Sequence, residues 1–223
     1  MVLRFFRGGG DDTLERVEAT LQRMLHDDRH SFDAAASALI GGADPDVVGP
    51  DLRATDRRVN AAEREIRREL VVHASVQTGP DVPAILVYMS IVKDVERIGD
   101  YAKNIYDLAA EGADFSSAPD RDELVAVRDR VSHLIAESAR VFAERDTEAA
   151  RDLIAEGDRL LDTFDEAIGE LVRSDRPSSY GVPRALFWRY CKRVVAHLMN
   201  VLSAVVMPLD QLDYFDEDRT TRG

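Results

Sequence analysis

Apolar residues recur at helical spacing along almost the whole chain, and glycine and proline divide that pattern into separate segments. No run alternates apolar and polar residues as a half-buried strand would, and no Asn-Gly or Asp-Gly pair marks a β-hairpin. A chain of 223 residues with 45% hydrophobic content can bury a substantial core. The pattern therefore predicts an all-α protein.

The turn residues predict where these helices begin and end. The predicted helices cover about 13–40, 51–73, a third that follows the turn at 78–83 and reaches 110, then 120–143, 147–172 and 183–206. Asp44-Pro45 can open the second helix, but Gly49-Pro50 is expected to break or kink it early. The helices form two similar groups of three, which resemble an internal duplication.

This duplication predicts two tandem antiparallel three-helix bundles packed side by side. The predicted parts are a flexible amino-terminal tail over 1–12, a first three-helix repeat over 13–113, a second and divergent repeat over 119–209, and an acidic tail over 210–223. The amphipathic first and fourth helices could offer a self-complementary face, so a homodimer is possible.

The charge balance limits the partners that the protein can have. Acidic residues outnumber basic residues by 42 to 29, and the net charge of −13 argues against nucleic-acid binding. Only three basic residues are lysine: Lys93, Lys103 and Lys192.

The single cysteine, Cys191, lies in an apolar run and is expected to be a buried thiol. No segment approaches the roughly 18 apolar residues of a membrane span, so we expect a cytoplasmic protein.

Two carboxylates stand four residues apart inside the apolar pattern of the third helix. Glu96 and Asp100 lie one turn apart on one stripe, which Asn104 continues. Like charges at this spacing repel each other, and the repulsion grows when the stripe is partly buried. A cation, supplied by a side chain or a metal ion, would remove this repulsion.

The second helix carries a similar stripe, formed by Asp56, Asn60 and Glu63. If this stripe faces the acids of the third helix, the two together form an oxygen-rich patch that suits Mg, Mn, Fe or Ca. Zinc is less favoured, because no cysteine or histidine falls on either stripe. The alternative is a solvated face on which the acids pair with neighbouring bases, such as Arg57, Arg58, Arg64, Arg97 or Lys103.

The sequence Glu-Arg-Ile-Gly-Asp over 96–100, followed by Ala102 and Asn104-Ile105, resembles the signature of PhoU-domain proteins. The resemblance covers nearly the whole chain. It implies two three-helix bundles with acidic metal-binding motifs, and a cytoplasmic regulator of phosphate uptake and its two-component signalling. The implied partners are a membrane phosphate transporter or a sensor histidine kinase, which the protein would meet at the inner face of the membrane.

By the same resemblance the metal ligands would be Glu96, Asp100, Asp56 and Glu63, with the amide side chains of Asn60 and Asn104 as further candidates. The ion would be divalent or trivalent. Tyr101 departs from the family, which usually has histidine at this position.

The second repeat departs further, because Lys192 and Ala196 stand where the first has Glu96 and Asp100. A lysine there would face three acids of the fifth helix, Asp158, Asp162 and Asp165. We therefore expect an internal ion pair in place of a second metal site, and a metal ion only in the first repeat.

Nothing in the sequence places a base beside a nucleophile, so a non-enzymatic regulator is the leading interpretation. One alternative is a metal-dependent phosphohydrolase with Arg97 as its phosphate clamp, and another is a purely structural helical scaffold. His26 and His30 share a helix face and could bind metal, but a solvated pair is expected.

Overall fold

The computed structural model describes residues 12–76 and 81–212, and within these ranges it is helical with no β-strand. The all-α prediction is confirmed. The helices are α1 (Asp12–Leu39), α2 (Pro45–Val76), α3 (Val82–Ala110), α4 (Arg121–Glu144), α5 (Thr147–Arg173) and α6 (Ser178–Val206), followed by a short 3₁₀ turn at Leu209–Gln211. The predicted tails lie almost entirely outside the described residues, apart from Asp12, which begins α1, and residues 210–212.

The helices form two groups of three that pack side by side, as predicted. Helices α1, α2 and α3 pack against one another, and α6 packs against α4 and α5. The two bundles meet where α3 packs on α6 and α1 packs on α4. In α3 and in α6, 15 of 29 residues are buried, against four of 27 in α5. The central helices α3 and α6 therefore pack both within their own bundles and against each other at the interface between bundles.

The expected break of the second helix at Gly49-Pro50 is wrong, because α2 runs without interruption from Pro45 to Val76. Pro50 lies in the second helical turn, where its missing N–H costs a single hydrogen bond. Tyr106 of α3 donates a hydrogen bond to the carbonyl of Pro45 at 3.0 Å. A Cβ at Gly49 would collide with the hydroxyl of Tyr106, so glycine is what lets this tyrosine hold the first turn.

The predicted start of the last helix near Pro183 is also wrong, since α6 begins at Ser178. Arg184, which is buried, binds both carboxylate oxygens of Asp120 at 2.6 and 2.7 Å and lies over the ring of Tyr180. The Arg184 guanidinium holds the pKa of Asp120 below its ordinary value. This cluster fixes the first turn of α6 against the residue that precedes α4.

Cys191 is completely buried in α6, as predicted, and burial raises the pKa of its thiol. Trp188, the only tryptophan, lies one turn earlier and is 5% exposed. None of the described helices is both long enough and apolar enough to cross a membrane.

Candidate functional site

The structure brings the acid stripes of α2 and α3 together through two lysines of α3. The ammonium of Lys103 donates to Asp56 Oδ1 of α2 at 3.0 Å and to Asp100 Oδ1 of α3 at 3.2 Å. Asp56 and Asp100 have side chains that are 22% and 26% exposed. One lysine therefore bridges a carboxylate from each helix.

The second lysine, Lys93, forms a similar bridge ten residues earlier on α3. Its ammonium donates to Glu96 Oε2 at 2.6 Å and lies 4.0 Å from Glu63 Oε1 of α2. Glu63 has a closer partner in Arg67, at 3.1 Å on the same helix. Only 9% of the Glu96 side chain is exposed, so this carboxylate depends on its ion pair more than a solvated one would.

Arg97, the suggested phosphate clamp, is bound to the acids of the site itself. Its guanidinium donates to Asp100 Oδ2 at 3.1 Å and lies 3.9 Å from Glu96. The solvated-face interpretation is thus right about the partners Arg97 and Lys103, but Glu96 is nearly buried rather than solvated.

The two amides of the predicted site do not join these contacts. Asn60 on α2 and Asn104 on α3 are both half-buried, and neither side chain hydrogen-bonds to any residue that the structure describes. The structure therefore gathers four of the six predicted site residues into one ion-pair network and leaves the two amides outside it.

Asp28 of α1 belongs to the same site, although the sequence analysis did not single it out. It is completely buried, and neither carboxyl oxygen has a hydrogen-bond partner in the described part of the chain. A Cβ on Gly99 would lie 2.6 Å from Asp28 Oδ1, so glycine allows this carboxyl to reach α3. Burial first, and then the negative charges around it, including those of Glu96 and Asp100, raise the pKa of Asp28 well above its ordinary value.

A sequence signal for Asp28 exists, because it occupies a position on the apolar stripe of α1. Leu21, Leu25 and Phe32 lie on the same stripe at helical spacing, and all three are fully buried. A carboxylate at a core position requires a partner or a proton. The sequence alone could therefore have indicated Asp28 as a candidate site residue.

The arrangement of these acids decides whether the residues fit a metal ion. Across residues 12–76 and 81–212, no group of three or more His, Cys, Asp or Glu side chains is gathered closely enough to hold one. The ammonium groups of Lys93 and Lys103 stand between the carboxylates, where a cation would bind. As arranged here the residues do not fit a metal ion, and metal binding by this chain stays a prediction.

The second bundle contains the predicted internal ion pair. Lys192 of α6 donates to both carboxylate oxygens of Asp165 at 2.6 Å. The predicted ion pair is confirmed, and its acidic member is Asp165 of α5. The internal duplication behind this comparison stays a prediction.

The two histidines of α1 have separate environments. His30 Nε2 lies 2.6 Å from Asp51 Oδ2 of α2, while His26 is exposed. Within the described residues they form no metal-binding group.

A buried polar contact that the sequence analysis missed links the two bundles. Asp94 Oδ1 of α3 lies 2.8 Å from His197 Nδ1 of α6 and accepts a hydrogen bond from Asn200 of α6 at 2.9 Å. All three residues are buried, and Tyr101 stacks on the His197 ring with centroids 5.7 Å apart. We call Asp94, His197 and Asn200 the interbundle cluster. Asp94 of this cluster precedes Glu96 by two residues and Asp100 by six, so the acids of α3 follow directly on a fixed point of the interface.

This chain is similar to proteins that are described as PhoU. Residues 21–109, which include the last two thirds of α1, all of α2 and nearly all of α3, match the model of the PhoU domain. A Synechocystis protein described as a phosphate-specific transport system accessory protein PhoU homolog is 25% identical over 200 residues, which span 87% of this chain and 88% of the relative. A protein of the same description from Deinococcus radiodurans is 26% identical over 197 residues, 83% of this chain and 86% of that protein.

Solved structures share the whole architecture. The crystal structure of PhoU from Pseudomonas aeruginosa superposes with a TM-score of 0.78 at 24% identity, over 86% of this chain and 95% of that one. The phosphate transport system regulatory protein PhoU from Streptococcus pneumoniae superposes with a TM-score of 0.72 at 15% identity, over 88% and 94% of the two chains. At these identities the superpositions establish the fold of two three-helix bundles.

Proposed function

We propose that this chain, which is a PhoU-family protein, acts as a regulatory accessory protein of a phosphate transport system. The observation that carries the proposal is the extent of the similarity to accessory proteins, which covers both bundles and nearly the full length of those relatives. A likeness confined to the PhoU domain at 21–109 would support only a shared module.

The proposed mode of action is binding to a membrane-bound partner, either the phosphate transporter or a sensor histidine kinase, from the cytoplasmic side. The description of the relatives as accessory proteins of a transport system supports a contact with such a partner. The net charge of −13 favours a basic docking surface on that partner.

We propose that regulation involves no catalysis by this chain. A phosphohydrolase at the acid site would need a free cationic clamp for the phosphate and an open metal position. Arg97 instead binds Asp100, and Lys93 and Lys103 lie between the acids. Turnover of a phosphomonoester with added Mn²⁺, lost in Glu96→Ala, would favour the enzyme over this proposal.

The regulatory role is tested by deleting the gene and measuring phosphate uptake and the expression of phosphate-starvation genes in medium rich in phosphate. We expect both to change in the deletion strain and to return on complementation with the unaltered gene. Unchanged uptake and expression in the deletion strain would contradict the proposal.

The binding step is tested by crosslinking the protein in cells, with the transporter and the kinase each tagged in turn. Glu96→Ala/Asp100→Ala asks whether the acid site contributes, and Asp152→Ala, at an exposed position on α5, is the matched control. Failure to recover either partner with the unaltered protein would refute direct binding.

A further inference from the structure

We propose that this chain neutralises its acid sites with its own lysines, so that ammonium groups stand in both bundles where a bound cation would otherwise be needed. This inference goes beyond the regulatory role and does not depend on it. It begins from the composition: the chain has 29 basic residues, and only Lys93, Lys103 and Lys192 are lysine. All three lie against the acid stripes. Arginine also pairs with these acids, as Arg97 does with Asp100, but Lys93 and Lys103 contact acids of both α2 and α3.

The chemistry of the two side chains explains this distribution. An ammonium is a compact charge with three donors, so it can bind carboxylates that approach from different directions, as a metal ion does. A guanidinium is planar and matches the two oxygens of one carboxylate. Lys103 reaches Asp56 and Asp100 from different helices at 3.0 and 3.2 Å, which is the contact that an ammonium makes best.

Arginine elsewhere in the chain shows the contrast. Arg184 binds the two oxygens of a single carboxylate, Asp120, through two of its nitrogens. At the acid site of the first bundle the cation must instead join α2 to α3. Lys103 does this directly, and Lys93 does it through a short contact with Glu96 and a longer one with Glu63.

The burial of the acids makes internal compensation necessary. The side chains of Glu96, Glu63, Asp56 and Asp100 are between 9% and 26% exposed, so water and salt screen their mutual repulsion poorly. A metal ion entering this site must displace Lys93 and Lys103 from their ion pairs. The unaltered protein should therefore fold without metal. Without the two lysines, the four acids should draw together around a metal ion that replaces the lost positive charge.

The second bundle has a more exposed counterpart, in which the side chains of Lys192 and Asp165 are 22% and 58% exposed. Lys192 holds both oxygens of Asp165 at 2.6 Å, and Ala196, one turn later, provides no carboxylate to complete a metal site. The lysine and the acid are on different helices, α6 and α5, so this ion pair also joins two helices of one bundle.

The test compares the unaltered protein with Lys93→Met/Lys103→Met, in which methionine keeps much of the length of the side chain and removes the charge. Arg151→Met/Arg189→Met removes two charges from exposed positions on α5 and α6 and is the matched control. Each protein is stripped with EDTA, exposed to Mn²⁺, dialysed and assayed for bound manganese. Melting temperatures are recorded in EDTA and in Mn²⁺.

We expect the unaltered protein and the control to hold no stoichiometric manganese and to melt at the same temperature in both buffers. The lysine variant should melt lower in EDTA, bind manganese, and gain about 5–10 °C when Mn²⁺ is present at roughly 100 times its dissociation constant. If the double variant does not fold, Lys103→Met alone is measured in the same way.

Two results would overturn the inference. One is an unaltered protein that retains manganese and melts lower in EDTA. The other is a folded lysine variant that shows neither manganese binding nor a shift in melting temperature. Both measurements use purified protein, so they are independent of the uptake assay that tests the regulatory role.

Discussion

The interbundle cluster should contribute strongly to the stability of the interface, and Asn200→Ala measures that contribution. Asp94 accepts hydrogen bonds from α6 at 2.8 and 2.9 Å, and Asp94 and Asn200 are only 8% and 6% exposed. A hydrogen bond to a charged group in such a setting is worth about 1.5–3 kcal/mol. We therefore expect Asn200→Ala to lower the free energy of unfolding by about 2 kcal/mol.

A double-mutant cycle separates this contact from the loss of side-chain volume. Asp94→Ala should cost about 3–5 kcal/mol, because it leaves both His197 and Asn200 without their buried acceptor. The double variant Asp94→Ala/Asn200→Ala should cost about 1–2 kcal/mol less than the sum of the single variants. That difference is the coupling energy across the two bundles.

The assay is urea denaturation at neutral pH, followed by the fluorescence of Trp188 in α6 and by circular dichroism of the whole chain. Coincident transitions would show that the bundles unfold together, which the cycle requires. Asn104→Ala is the control, because Asn104 is half-buried on α3 but makes no side-chain hydrogen bond with the described residues. A coupling energy below about 0.5 kcal/mol would refute the reasoning.

Three further predictions concern Asp28, Asp120 and Gly99. Because the pKa of Asp28 is raised in the folded state, the stability of the unaltered protein should fall as pH rises above 3.8; Asp28→Asn should remove that fall in urea titrations across pH and be more stable at pH 7. The pKa of Asp120 is lowered by Arg184, so its contribution is present above 3.8 and lost as pH falls; Asp120→Asn should be less stable at pH 7 and flatten the acid limb of the same curve. Gly99→Ala should cost about 1–3 kcal/mol, since its Cβ would lie 2.6 Å from Asp28 Oδ1, whereas Gly181→Ala, in open space, should be neutral or slightly stabilising in thermal melts; equal effects would contradict the close-approach argument.

The helices themselves were predictable because each buries one face repeatedly along its length. The starts of α2 and α6 were not, since both contain a proline that the sequence rules treat as a break. Tyr106 holds the first turn of α2, and Arg184 holds the first turn of α6. These partners come from distant parts of the chain, so local sequence could not supply them.

The acid site was predictable to the extent that its residues repeat along a single helix. Glu96 and Asp100 were found from spacing, and the approach of Asp56 to Asp100 followed from the antiparallel bundle. Asp28 and Asp94 stand alone on otherwise apolar faces, and their roles depend on which helices pack beside them. Spacing identifies stripes and shows that Asp28 interrupts one, whereas the partners of such single buried polar residues need the tertiary structure.

The single thiol of Cys191 allows opening of the second bundle to be measured without any added label. The chain has no other cysteine, and this one is completely enclosed in α6. An alkylating reagent can therefore reach it only when the bundle opens, and the raised pKa of the thiol slows reaction during openings that leave it in an apolar setting. The rate of alkylation in native buffer thus measures how often the second bundle opens. A partner that binds preferentially to the closed or to the opened bundle should change that rate.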